Sequence, residues 1–113
     1  MPSNLESDFA FALKAIGCEM VREYQFHPSR KWRLDFAHVE TLTGLEIDGG
    51  EFSGGSHSRG VGMANDYAKR NSATEMGWAV FQITGAMCKK DPLGWARRVK
   101  AVIERRRDEL QRD

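Results

Sequence analysis

Hydrophobic and polar positions alternate along this chain in two different periods. Leu5, Phe9, Leu13 and Ile16 recur at helical spacing, and Gly17 is a natural stop, which predicts a first helix from about Asn4 to Ile16. Ser3 and Glu6 stand in capping-box positions at its start. Residues 18–26 have β-prone character through Val21, Tyr24 and Phe26, and Pro28 interrupts them. A second strand is expected over Lys31 to His38, a turn through residues 40–43, and a third strand over Gly44 to Asp48, the last two forming a hairpin. Residues 49–62 are glycine-rich and read as a loop. A helix from about Met63 to Met76 follows, ended by Gly77. The apolar run from Trp78 to Thr84 reads as a buried strand. Asp91 and Pro92 supply an N-cap and an N1 proline for a long last helix, whose stripe is Leu93, Ala96, Val99, Ile103 and Leu110. The order helix, three strands, helix, strand, helix predicts an α/β domain with a central mixed sheet.

The two middle strands carry the chemistry. Alternation places Trp32, Leu34 and Phe36 on one face of their strand, and Arg33 and Asp35 on the other. On the next strand Leu45 and Ile47 point one way, Glu46 and Asp48 the other. Pairing would gather three carboxylates on one side of a small sheet. Such a cluster repels itself, and a divalent cation removes the conflict. Asp35 and Glu46 are the expected Mg²⁺ ligands, with Asp48 completing the shell directly or through water. Solvent-facing acids on a half-exposed hairpin would give the same alternation. Gly49 and Gly50 leave room beside the acids for a close ligand.

At 113 residues the chain is expected to form one domain over residues 1–113. Its net charge of +1 does not single out a polyanion partner. The distribution is more telling, because seven Arg and Lys residues lie between Arg97 and Arg112, a basic face suited to nucleic acid or simply a solvated helix surface. Cys18 and Cys88 lack zinc-site spacing and read as buried free thiols. No signal-peptide pattern or long apolar run is present, so the expectation is an intracellular protein, cytoplasmic and without a membrane span.

Two further constellations add to the acids. Asp66 precedes Lys69 and Arg70 on the expected second helix, an ordinary surface ion pair unless Lys69 reaches the metal site. There its ammonium would orient water or stabilise the developing oxyanion, and Asp66 would hold it in place. The glycine-rich loop lacks the ending of a nucleotide-binding P-loop, so no nucleotide cofactor is expected. Its serines, His57 and Arg59 suit phosphate contact. Glu6 is near enough in the pattern to be a further candidate, although its capping role already explains it. The tryptophans Trp32, Trp78 and Trp95 read as core.

Taken together, Arg33 to Ala37, Glu46 to Gly50, Gly54 to Gly60, Asp66 to Asn71 and Gly77 to Phe81 resemble the PD-(D/E)XK nuclease superfamily. The likeness is to small phage and bacterial endonuclease-like proteins akin to very-short-patch repair endonucleases and Holliday junction resolvases. The resemblance implies a restriction-endonuclease-like αβββαβ core with a C-terminal helix. It also implies a Mg²⁺-dependent DNA endonuclease, Mn²⁺ substituting, with Asp35 and Glu46 as metal ligands. One position departs from the signature: the lysine expected two residues after the glutamate is Asp48, and Lys69 is the candidate replacement.

The expected function is therefore phosphodiester hydrolysis in DNA. Asp35, Glu46, Asp48 and Lys69 would be catalytic, and Arg33, His57 and Arg59 would contact the DNA backbone. Branched DNA cut by a homodimer is the favoured substrate, since two symmetric nicks need two sites. The alternatives are a single-site nicking or repair enzyme and a non-catalytic nucleic-acid-binding module of the same fold.

Overall fold

The computed structural model describes residues 4–48 and 61–112. Helix α1 (Asn4–Ala15) leads into strands β1 (Val21–Gln25), β2 (Arg33–His38) and β3 (Thr43–Asp48). Helix α2 (Val61–Glu75) returns the chain to β4 (Ala79–Thr84), followed by α3 (Gly85–Lys90) and α4 (Pro92–Gln111). The sheet order is β1-β2-β3-β4. The first three strands pair antiparallel, and β3 and β4 pair parallel across the α2 connection, so the sheet is mixed, as the element order predicts.

Helices cover both faces. On one, α1, α3 and α4 pack on Phe36, Leu45 and Ile83, with Phe9, Val99 and Ile103 filling the layer. Phe9 meets Phe36 edge-on at 5.0 Å between ring centroids, the arrangement that ring quadrupoles favour. On the other, Leu34, Ala37, Phe26 and Trp78 pack with Ala73 of α2. Ala73 is the single buried residue among the described side chains of that helix.

Three expectations need correction. The expected order lacked α3, a single short helix that Thr84 caps by accepting from the Met87 amide at 3.1 Å. Leu93 and Leu110 do not join the buried stripe of α4. Leu110 is 61% exposed, and the stripe is Ala96, Val99 and Ile103. Leu34 and Phe36 do not share a face either: they lie in different core clusters, on opposite sides of the sheet.

The change of face between Leu34 and Phe36 has a visible cause. Arg22 pairs with Phe36 and Tyr24 with Leu34, which sets Glu23 against Asp35 at the centre of the ladder. Glu23 adopts the left-handed backbone conformation, φ +53°, uncommon for a non-glycine residue and characteristic of a local irregularity in a strand. The two strands change face there together. On β3, Gly44 lets Leu34 slide beneath it: a Cβ at that position would stand 2.8 Å from Leu34 Cδ1.

Several of the basic residues of α4 are engaged in contacts within the fold. Arg106 donates to the carbonyls of Leu42 (2.8 Å) and Gly77 (3.0 Å). Lys100 donates to the Ile16 carbonyl (2.9 Å), and Arg98 stacks on Trp95. Both cysteines are buried and free, in line with expectation. Of the tryptophans, Trp78 is buried and Trp32 and Trp95 are half-buried against the core.

Candidate metal-binding and catalytic site

The change of face at Asp35 determines where its carboxylate goes. The β2–β3 ladder pairs His38 with Thr43, Ala37 with Gly44 and Phe36 with Leu45. Just past that point, the Ile47 amide donates to Asp35 Oδ2 at 2.7 Å. A side chain thus takes a hydrogen bond in the region where the ladder ends, and it holds the carboxylate in a notch between the strands.

Three acids share this notch. One carboxylate oxygen from each of Glu6, Glu23 and Asp35 lies within 4.8 Å of the others. Glu6 comes from α1, Glu23 from the irregular centre of β1 and Asp35 from β2. Burial pushes the Asp35 carboxyl up from 3.8 to about 6. The Ile47 hydrogen bond opposes that rise, and the charges of Glu6, Glu46 and Glu23 add to it. Arg22 offsets part of the repulsion by donating to Glu6 Oε1 at 2.9 Å. The Glu6 side chain is therefore engaged with Arg22 and the notch; the Ser3 half of the expected capping box lies outside the described residues.

Asp35 also lines a cleft of about 240 Å³ beside α2, together with Glu46, Asp48, Asp66, Lys69 and Arg70. The five acidic and lysine positions that the sequence singled out on β2, β3 and α2 thus face one space. Their grouping differs in detail from the expectation. Among the described residues Asp35 forms a three-acid group with Glu6 and Glu23, whereas Glu46 is ion-paired with Lys69 and hydrogen-bonded at 3.4 Å by Gln82. Lys69 does reach over the sheet, and the acid it meets there is Glu46. Asp48 is exposed at the end of β3, and Asp66 is exposed on α2.

Arg33 is exposed at the start of β2. His57, Arg59 and the glycine-rich loop lie outside the described residues. Sequence reasoning missed Glu23, because alternation says nothing about a strand that changes face midway. It ranked Glu6 low because the capping box explained that residue. The signal for both was topological: a first helix and a first strand that border the acid-bearing strand.

The acidic side chains here are hard oxygen donors, and their mutual repulsion is the kind a divalent cation relieves. Glu6, Glu23 and Asp35 form a candidate metal-holding cluster of oxygen donors with no thiolate among them. No protein-family description, curated protein or solved structure matches this chain.

Proposed function

We propose that this protein is a divalent-metal-dependent nuclease that hydrolyses phosphodiester bonds in DNA. The observation that carries the reading is Asp35. It is half-buried, its carboxyl is raised to about 6, and it lies between the acids of α1 and β1 on one side and the Glu46–Lys69 pair on the other. A stability-driven fold has little reason to concentrate charge there.

Asp35, with Glu6 and Glu23 or with Glu46 and Asp48, would hold Mg²⁺ or Mn²⁺. When bound, the ion would supply Lewis-acid stabilisation and a more acidic water. The chain's own groups define the rest. The Ile47 amide orients the Asp35 carboxylate. Lys69 places an ammonium beside Glu46, where it would stabilise charge developing on a phosphoryl oxygen. Arg70, on the same rim, and Arg33, at the start of β2, are cations suited to phosphate contact. Branched DNA, cut by two copies of the chain, is the substrate class we favour.

A non-catalytic DNA-binding module of the same fold is the second reading. It is favoured by the ion pair that already neutralises Glu46. One panel separates the two: linear, mismatched, flapped and four-way DNA incubated with Mn²⁺ and wild type, Asp35→Asn or Glu46→Gln. Cleavage of at least one substrate by wild type alone is the expected result. Binding with no cleavage of any substrate would favour the module.

A further inference from the structure

The underside of α2 carries a second cavity, of about 230 Å³, walled by Leu34, Ala73, Trp78 and Val80. It adjoins the acidic cleft, and the two share Glu46, Lys69, Arg70 and Gln82. Its origin is the light packing of α2: Ala73 contributes a single methyl where a larger residue would fill the space. At about 30 Å³ per water the cavity has room for roughly seven or eight waters, the bulk of one planar heterocycle. Its floor is apolar and includes an indole. Its mouth carries an amide, a hydroxyl and a guanidinium, from Gln82, Thr74 and Arg70.

We infer that this cavity receives a single unstacked nucleobase from the strand whose phosphate lies at the acidic cleft. The inference rests on the nuclease reading for its substrate class and names the subsite beside the reacting phosphate. Three features select a nucleobase. An apolar floor favours a flat ring. A mouth of mixed donors and acceptors reads the edge of a base. The shared residues include Arg70, a cation suited to phosphate contact that lines both spaces. Such a subsite favours DNA with an unpaired or mispaired nucleotide, because intact duplex must first surrender a stacked base.

The test is a metal-free titration of the full chain, ¹⁵N-labelled, with dAMP and with deoxyribose 5-phosphate as the base-free control. The expected result is that dAMP moves the Trp78 indole signal and the amides of Ala73 and Gln82, while the control leaves these in place. Ala73→Leu and Val80→Phe fill the cavity from opposite walls. Each should weaken dAMP about tenfold, the scale of one lost stacking contact, and leave the control's affinity unchanged. Should one variant fail to fold, the other carries the comparison. Identical shifts from dAMP and the control, or undiminished dAMP affinity in a folded cavity-filled variant, would overturn the subsite and mark the space as a packing void. Because no metal or cleavage enters the readout, the two proposals fail separately. Base binding by a chain that cuts no DNA would sink the nuclease reading alone, and cleavage without base binding would sink the subsite alone.

Discussion

Asp35 is the residue at which folding and proposed chemistry conflict. Its carboxyl is raised, the reverse of the usual aspartate case, so its ionisation favours the unfolded chain. The cost is absent below about pH 4, where the group is protonated in both states. It grows as pH rises from about 4 to about 6 and is complete above that. With solvent screening of a half-buried group, it amounts to roughly 1–2 kcal/mol. Asp35→Asn keeps an oxygen to accept from Ile47 and removes the charge. Urea unfolding at pH 7.5 should show this variant about 1 kcal/mol more stable than wild type, and the gain should vanish near pH 4. A loss of stability at pH 7.5 would mean that the carboxylate is satisfied by its surroundings and that the notch is not frustrated.

His38 shows the opposite dependence. Burial and the neighbouring Arg107 lower its pKa, with Glu40 opposing them. Arg107 donates to Nε2 at 3.2 Å, and a guanidinium has no lone pair to accept. His38 is therefore the tautomer whose Nδ1–H points to Thr41 Oγ1, at 2.8 Å. Protonation breaks the Arg107 contact, so this group's contribution is present above the unfolded pKa near 6.5 and is lost as pH falls through the lower folded value. His38→Gln should flatten the decline in stability between pH 7 and 5 seen in urea titrations.

At the level of elements, α4 is fixed to the sheet by single residues that bridge long sequence separations. Arg106 satisfies two carbonyls, one in the β2–β3 turn and one after α2. Arg106→Ala should cost about 2–3 kcal/mol, since it leaves a part-buried acceptor without its charged donor. Chemical denaturation measures this, and Mn²⁺ affinity should be unaltered because Arg106 acts where β3 and β4 begin, whereas the acids gather toward the other end of these strands. Equal losses of stability and of metal affinity would show that the two ends of the sheet are coupled. Phe9→Ala, which removes the ring stacked edge-on against Phe36 in the core, should cost about 3–5 kcal/mol by the same assay.

Apart from α3, the order of elements and the mixed sheet were readable from sequence, because most strands and helices carried a period or a stop signal. Gly17, Gly77 and the Asp91-Pro92 pair marked ends that the structure keeps to within a residue or two. What stayed hidden was local to the site. The turnover of faces at Glu23 and Asp35 depends on a left-handed backbone at a glutamate, which no propensity scale announces. As a result Leu34 and Phe36 were assigned one face, and Glu23 was not placed beside Asp35. The stripe of α4 was read two residues too wide because leucines at its ends obey the period without meeting a partner. The convergence of Asp35, Glu46, Asp48, Asp66 and Lys69 on one cleft was legible, since alternation fixes the faces of β3 and the helix α2 crosses above it.

The central claim is that Asp35 anchors a divalent-cation site at the end of the β2–β3 ladder. Calorimetric titration of Mn²⁺ into the apo protein at pH 7.5 tests it most directly. Wild type should give saturable binding, and Asp35→Asn, although folded and no less stable, should lose at least about tenfold in affinity with the removal of one charged ligand. Absence of binding to wild type, or an isotherm that Asp35→Asn leaves unchanged, would contradict it.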